Sequence, residues 1–235
     1  MRSLILIPDG PPRRWHLDVA AALGRHGSAT LAVAKGAHAF SPPPALRLLL
    51  LLDRTLTGSS AHALDEASAA VIPADGAAAD IILDLSGDIA AGDGGPRRLV
   101  PLFDGAPGEG ALWLALIEGR APVLSVLDTQ TGQARVIGLP ALESPRRLSA
   151  SADQVLARLV EGLAQAVTQP WAECAFAASR GAARRLQVTQ AAAFAARIIG
   201  GKAQRVLERL LKTGPQWAVA TRATPAGKRL PPAPL

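Results

Sequence analysis

Five consecutive apolar-rich residues, Ser3 to Ile7, are cut off by Pro8-Asp9-Gly10-Pro11-Pro12, and this break constrains the fold more than any other feature. A short unbroken apolar run suits a strand buried on both faces, which is the habit of parallel sheets. A helix is predicted from about Pro12 to His26, because Trp15, Val19 and Leu23 recur every four residues on one face. Gly24 and Gly27 stand where a helix cap is expected. Ser28 to Ala34 reads as a second strand. Strand, helix and strand in so short a span make a βαβ unit with a right-handed crossover.

Strand and helix patterns continue to alternate along the chain. Pro42 to Pro44 introduce a helix at Ala45, and Thr57 to Ala69 is a polar loop or short helix. Val71-Ile72, Ile81 to Leu85 and Leu99 to Phe103 read as strands, and Glu109 to Glu118 as a helix with Leu112, Trp113 and Leu116 inward. Val123 to Leu127 and Gln133 to Leu139, joined by a Gly-containing turn, predict an antiparallel hairpin. Ser149 or Ser151 is the expected cap of a helix from Ala152 to Thr168, striped by Val155, Leu159 and Leu163. The expected fold class is therefore α/β, a Rossmann-like, mainly parallel sheet with a C-terminal hairpin. Residues 1–169 form the α/β domain, 170–214 a basic helical linker, and 215–235 an isolated strand, QWAVATR, with a Pro-rich tail.

Composition narrows the function classes. No run approaches the roughly 18 uncharged apolar residues that a membrane span needs. The N-terminus lacks the long apolar stretch of a signal peptide, so a cytoplasmic location is the default expectation. The single Cys174 excludes an internal disulfide and a cysteine metal cluster, and on a basic helix it is at most a weak candidate for a reactive thiol. His16, His26, His38 and His62 have no metal-ligand spacing, so no metal is expected. The net charge of +6 hides an asymmetry: 11 Lys/Arg and one acid from Arg180 onward, against 14 and 18 before it. Arg184, Arg185, Arg197, Arg205 and Arg209 belong to that tail and are candidates for contact with a protein or an anionic surface; a solvated helix face is the plainer reading. Nucleic acid is not an expected partner.

The candidate site lies between Asp80 and Gly119, since ligands of open α/β sheets bind beyond the strand ends. The first loop fails the dinucleotide fingerprint, having one Gly among prolines that lack an N–H. Asp9 and His16 are polar residues near that strand end, most simply a turn residue and a helix-surface residue. Asp84 with Asp88 ends one strand, and Asp104 with Glu109 follows the next. If the strands adjoin, these acids crowd one edge, where a pKa is raised or a divalent cation held. The alternative is that Asp104 and Glu109 complement the N-terminus of the following helix. The candidate catalytic residues are Asp84, Asp104, Glu109 and Asp128, and the candidate small-molecule contacts are Ser86, Gly87 and Asp88. Ser86 is not in a nucleophile elbow.

Three stretches carry a family resemblance: LVPLFDGAPGEGALWLALIEG, APVLSVLDTQTGQARVIGL and SADQVLARLVEGLAQAV. Their order resembles the formyltetrahydrofolate-dependent formyltransferase fold, in which a strand bearing Asn-x-His leads to a helix, a hairpin brings a catalytic Asp, and a long helix closes the domain. With RRWHLDVAAAL, ADIILDLSG and QWAVATR, the chain resembles a divergent bacterial group that carries such a domain before a β-propeller. That propeller is related to glycoside-hydrolase propellers and to the N-terminal region of plant glucosaminyl inositolphosphorylceramide transferases. The resemblance implies a role in cell-surface glycan biosynthesis, with formyltetrahydrofolate as cofactor if the domain is active. It matches Asp128 to the family Asp. At the Asn-x-His place, however, stand Pro101, Leu102, Phe103 and Asp104, none an electrophilic donor for a formyl carbonyl. The expectation is a catalytically degenerate domain acting as scaffold or binding module, with no cofactor. The alternatives are an active transferase using formyltetrahydrofolate or a nucleotide sugar, and a non-enzymatic module docking through its basic tail.

Overall fold

The computed structural model describes residues 1–58, 61–73, 79–87, 95–169, 171, 176–177, 192–196 and 199–200. The chain divides into two compact units, Met1–Ile198 and Ile199–Leu235. Asp88, Cys174, the strand expected at QWAVATR and all five arginines named for the tail lie outside the described residues.

The first unit is an α/β domain. Its elements run β1 (Arg2–Asp9), α1 (Arg14–Gly24), β2 (Ser28–His38), α2 (Pro44–Thr57), a 3-10 turn (His62–Leu64), β3 (Ile72–Pro73), β4 (Ile81–Asp84), β5 (Arg97–Phe103), β6 (Ala106–Pro107), α3 (Glu109–Ile117), β7 (Leu124–Asp128), β8 (Gln133–Gly138), α4 (Leu148–Thr168) and β9 (Phe176–Ala177). The strands form one sheet in the order β3-β2-β1-β4-β5-β7-β8-β9, with β6 paired to β5 outside that path. The first five are mutually parallel. The hairpin β7–β8 then joins antiparallel to β5, and β9 antiparallel to β8. The chain leaves β1 toward β2 on one side and returns to β4 on the other, so the order reverses between β1 and β4. That reversal opens a crevice at the C-terminal strand ends.

Alternation along the strands assigns the two faces. Ile5, Ile7, Leu31, Leu83, Leu99, Phe103, Leu124 and Val126 pack with Trp15, Val19 and Leu23 of α1, Leu46 and Leu49 of α2, Leu112 and Leu116 of α3, and the stripe Val155, Leu159, Leu163 of α4. Burying one such Leu or Ile side chain is worth about 1.5–3 kcal/mol, so this cluster dominates the core. The opposite face holds two smaller clusters, Leu4, Leu6, Ala32, Ala34 and Ala37, and Val100, Leu102 and Leu127, to which none of the four helices α1 to α4 contributes.

Among the element boundaries that differ from the sequence reading, those of α4 and β2 have a physical reason. Helix α4 starts at Leu148, with Arg147 in the cap position, so Ser149 and Ser151 sit inside its first turns instead of capping it. The acceptor comes from elsewhere: Oδ2 of the fully buried Asp53 on α2 takes the Ser149 N–H at 2.8 Å. Strand β2 runs on to His38, passing a β-bulge opposite Ile7 and Asp9, and so carries His38 to the crevice.

Candidate functional site

The crevice holds a cleft of about 260 Å³, lined by Pro8 near the end of β1, His38 at the end of β2 and Phe40 beyond it, Leu85 to Gly87 after β4, and Pro107 to Gly110 at the start of α3, with Arg13 at the head of α1. Local sequence explains how α3 reaches it. Strand β5 ends in Asp104-Gly105, whose φ angles of 51° and 79° are both positive, and Phe103 pairs with Ala106. Asp-Gly with two positive φ values is the signature of the two-residue mirror-image hairpin turn. The chain therefore doubles back at once, and α3 begins over the end of β4.

There Gly87 and Gly108 meet backbone to backbone. Each has φ near +80°, and a Cβ on Gly87 would lie 3.1 Å from Gly108 Cα. Only glycine meets both demands without strain. Gly110 faces the ring of Phe40, which a Cβ there would approach to 3.2 Å.

Glu109 is the acidic group of the cleft. Its Oε2 accepts from Arg13 Nη1 at 2.5 Å and its Oε1 from Trp15 Nε1 at 3.3 Å. Arg13 also donates to the Phe40 carbonyl at 3.3 Å. Burial pushes the Glu109 carboxyl above its ordinary pKa, against the pull of Arg13 and the indole N–H. His16, expected on the helix surface, is instead buried, with Nδ1 accepting the Arg13 N–H at 3.1 Å. Burial first, and the neighbouring Arg13 second, lower its pKa to about 3. It is a neutral imidazole that anchors the first turn of α1 and thereby Arg13.

The other candidates are placed apart from Glu109. Asp84 is fully buried at the end of β4. Its Oδ2 takes Nε of Arg98 on β5 at 2.9 Å as well as Nη2 of the same side chain, and its Oδ1 takes the N–H and hydroxyl of Ser86. Asp104 accepts from Arg120 Nη1 at 2.5 Å and from the Val123 N–H at 2.8 Å, so its carboxylate pins the turn to the strand that comes next. Asp128 lies opposite Leu99, toward the other end of β5, where it pairs with Arg97 at 2.8 Å and accepts the N–H groups of Gln130 and Thr131. Strands β4 and β5 do adjoin. Among the described acids on and after them, Asp84, Asp104 and Glu109 each pair with a different arginine, Arg98, Arg120 and Arg13. Glu109 stands in the first turn of α3, where an acid complements the helix N-terminus, while the hydrogen bonds of both carboxylates go elsewhere, Glu109 to Arg13 and Trp15 and Asp104 to Arg120 and Val123.

Of the residues singled out from sequence, the cleft gathers Ser86, Gly87 and Glu109. It adds Arg13, His38, Phe40, Gly108 and Gly110, which the sequence did not mark as site residues. The Asp-Gly hairpin signal could have located Gly108 and Gly110; nothing in the spacing marks Arg13 or Phe40. Among the described residues no group of three or more His, Cys, Asp or Glu could hold a metal ion, and no helix is long and apolar enough to cross a membrane. Compared with family models, curated proteins and solved structures, the chain finds no match.

Proposed function

We propose that the chain is a formyltransferase-like domain that binds a small molecule in the crevice cleft and acts as a binding module or scaffold in cell-surface glycan biosynthesis, without transferring a formyl group. The observation that carries this reading is the end of β5. There the family resemblance puts the groups that polarise the formyl carbonyl, and this chain has an Asp-Gly turn whose carboxylate is taken by Arg120 and the Val123 N–H. An anionic side chain so engaged offers no hydrogen-bond donor to a carbonyl. Asp128, the match to the family Asp, is likewise committed to Arg97 and its own turn. The order of strand, returning loop, helix, hairpin and long closing helix supports the fold part of the reading. The link to glycan biosynthesis rests on the resemblance alone.

A second reading, an active transferase using formyltetrahydrofolate or a nucleotide sugar, has one observation in its favour. Glu109 is a buried carboxyl of raised pKa in the cleft, beside a guanidinium, which is how an acid–base group is prepared.

Thermal shift of the full chain against formyltetrahydrofolate and nucleotide sugars tests both. A ligand at a hundredfold its Kd stabilises the native state by about 2.7 kcal/mol. The binding-module reading expects a shift that the cleft-filling Gly110→Val removes, with no product on prolonged incubation. Formyl or glycosyl transfer by the wild type that Glu109→Gln abolishes would replace it with the transferase reading. No shift with any of these compounds would sink the assigned ligand classes.

A further inference from the structure

A second cavity, of about 220 Å³, lies on the helical side of Arg13 and is lined by Arg13, Pro42, Leu50, Arg54, Ala61, Leu64, Trp113 and Ser149. Leu50 and Arg54 are one turn apart on α2 and so share a face. The 3-10 turn supplies Leu64 and its cap Ala61, α3 supplies the buried Trp113, and the first turn of α4 supplies Ser149. The walls are thus mainly apolar, with two guanidinium groups and one hydroxyl. Their charges are not equivalent. Arg13 is neutralised by Glu109 at 2.5 Å, on the crevice side. Arg54 has no ion-pair partner among the described residues. Its neighbour Asp53 turns its Oδ2 to the Ser149 N–H and so serves α4.

We infer that this cavity is a binding site for a small monocarboxylate with an apolar body. The body lies against Leu50, Leu64 and Trp113, and the carboxylate meets Arg54, whose planar fork matches two carboxylate oxygens. A volume of about 220 Å³ suits a ligand with a single small ring. One uncommitted cation favours a monoanion over a phosphate dianion. The two linings share Arg13 alone, so the inference does not rest on the function proposed above.

The test is calorimetric titration of the full chain with benzoate, with benzyl alcohol as the uncharged probe of the same shape. Benzoate is expected to bind at one saturable site. Arg54→Met, which keeps the stem and removes the charge, is expected to weaken it at least about tenfold, the value of one charge-assisted hydrogen bond. Ala61→Phe, which fills the cavity from its rim, should weaken it similarly, and Gly110→Val in the crevice should not. A circular-dichroism melt of each variant identifies any that fails to fold. The inference is overturned if benzoate does not saturate, if benzyl alcohol binds as tightly, or if folded Arg54→Met and Ala61→Phe bind benzoate as the wild type does.

Discussion

His16 shows how much a single residue can contribute to placing a site. In the unfolded chain it titrates near 6.5, while in the fold burial holds its pKa at about 3. Between those values the unfolded state binds the extra proton. The stability that His16 contributes is therefore fully present above pH 6.5 and is lost as pH falls toward 3, by at most about 1.4 kcal/mol per pH unit. Glu109 works in the opposite sense: with its folded pKa above 4.5, the native state holds the proton longer, so its effect favours the fold as pH drops through that range. Urea unfolding between pH 6.5 and 4.5 should show a steeper loss for the wild type than for His16→Asn, which keeps an acceptor for the Arg13 N–H and has no proton to gain. Equal slopes would mean that the imidazole is solvated. Gly87 makes a different kind of contribution. With φ of +83° and Gly108 Cα 3.1 Å from its absent Cβ, Gly87→Ala combines left-handed strain of about 1–2 kcal/mol with a backbone clash. A melting temperature lowered by several degrees is expected. An unchanged one would show that the loop after β4 shifts freely.

At the scale of elements, the strands and helices were readable because each carries its own periodicity. The run Ser3 to Ile7 and the Trp15, Val19, Leu23 stripe located β1 and α1, and Val155, Leu159 and Leu163 located α4. What was not readable is whatever depends on a distant partner. The true acceptor for the start of α4 is Asp53, 96 residues before Ser149, and no local pattern announces it. Asp84 is a further case: its sequence position at a strand end looks catalytic, yet its place beside Arg98 on the neighbouring strand makes it a buried ion-pair member. Removing one partner of a buried pair costs about 3–5 kcal/mol, because the other charge is left uncompensated. Asp84→Asn should therefore unfold at clearly lower denaturant while Asp84→Asn/Arg98→Met recovers part of the loss. If the single variant is as stable as the wild type, Asp84 is free to serve another role.

The whole molecule separates binding from support by the direction of its strands. Order reversal between β1 and β4 opens the cleft at the C-terminal ends of the parallel strands, where Ser86, Gly87 and Glu109 converge with Arg13 and Phe40. The sequence marked that edge through Asp80 to Gly119, but it could not tell which acids would face it, since a one-residue change of register moves a side chain to the other face. Asp128 falls at the opposite end of β5, where Arg97 both pairs with it and lies 4.6 Å over the Trp171 ring. This geometry makes a prediction that no single residue makes. Asp128→Asn neutralises a buried carboxylate paired with a partly exposed arginine but keeps an acceptor for the turn, so it should cost stability of about 1–3 kcal/mol and leave the affinity of any cleft ligand unchanged. Glu109→Gln should alter that affinity, and Gly110→Val should remove it. Measuring ligand affinity and unfolding free energy for the same three variants separates the two ends of the sheet. A loss of affinity in Asp128→Asn as large as in Glu109→Gln would mean that the hairpin turn, and not the crevice, carries the site.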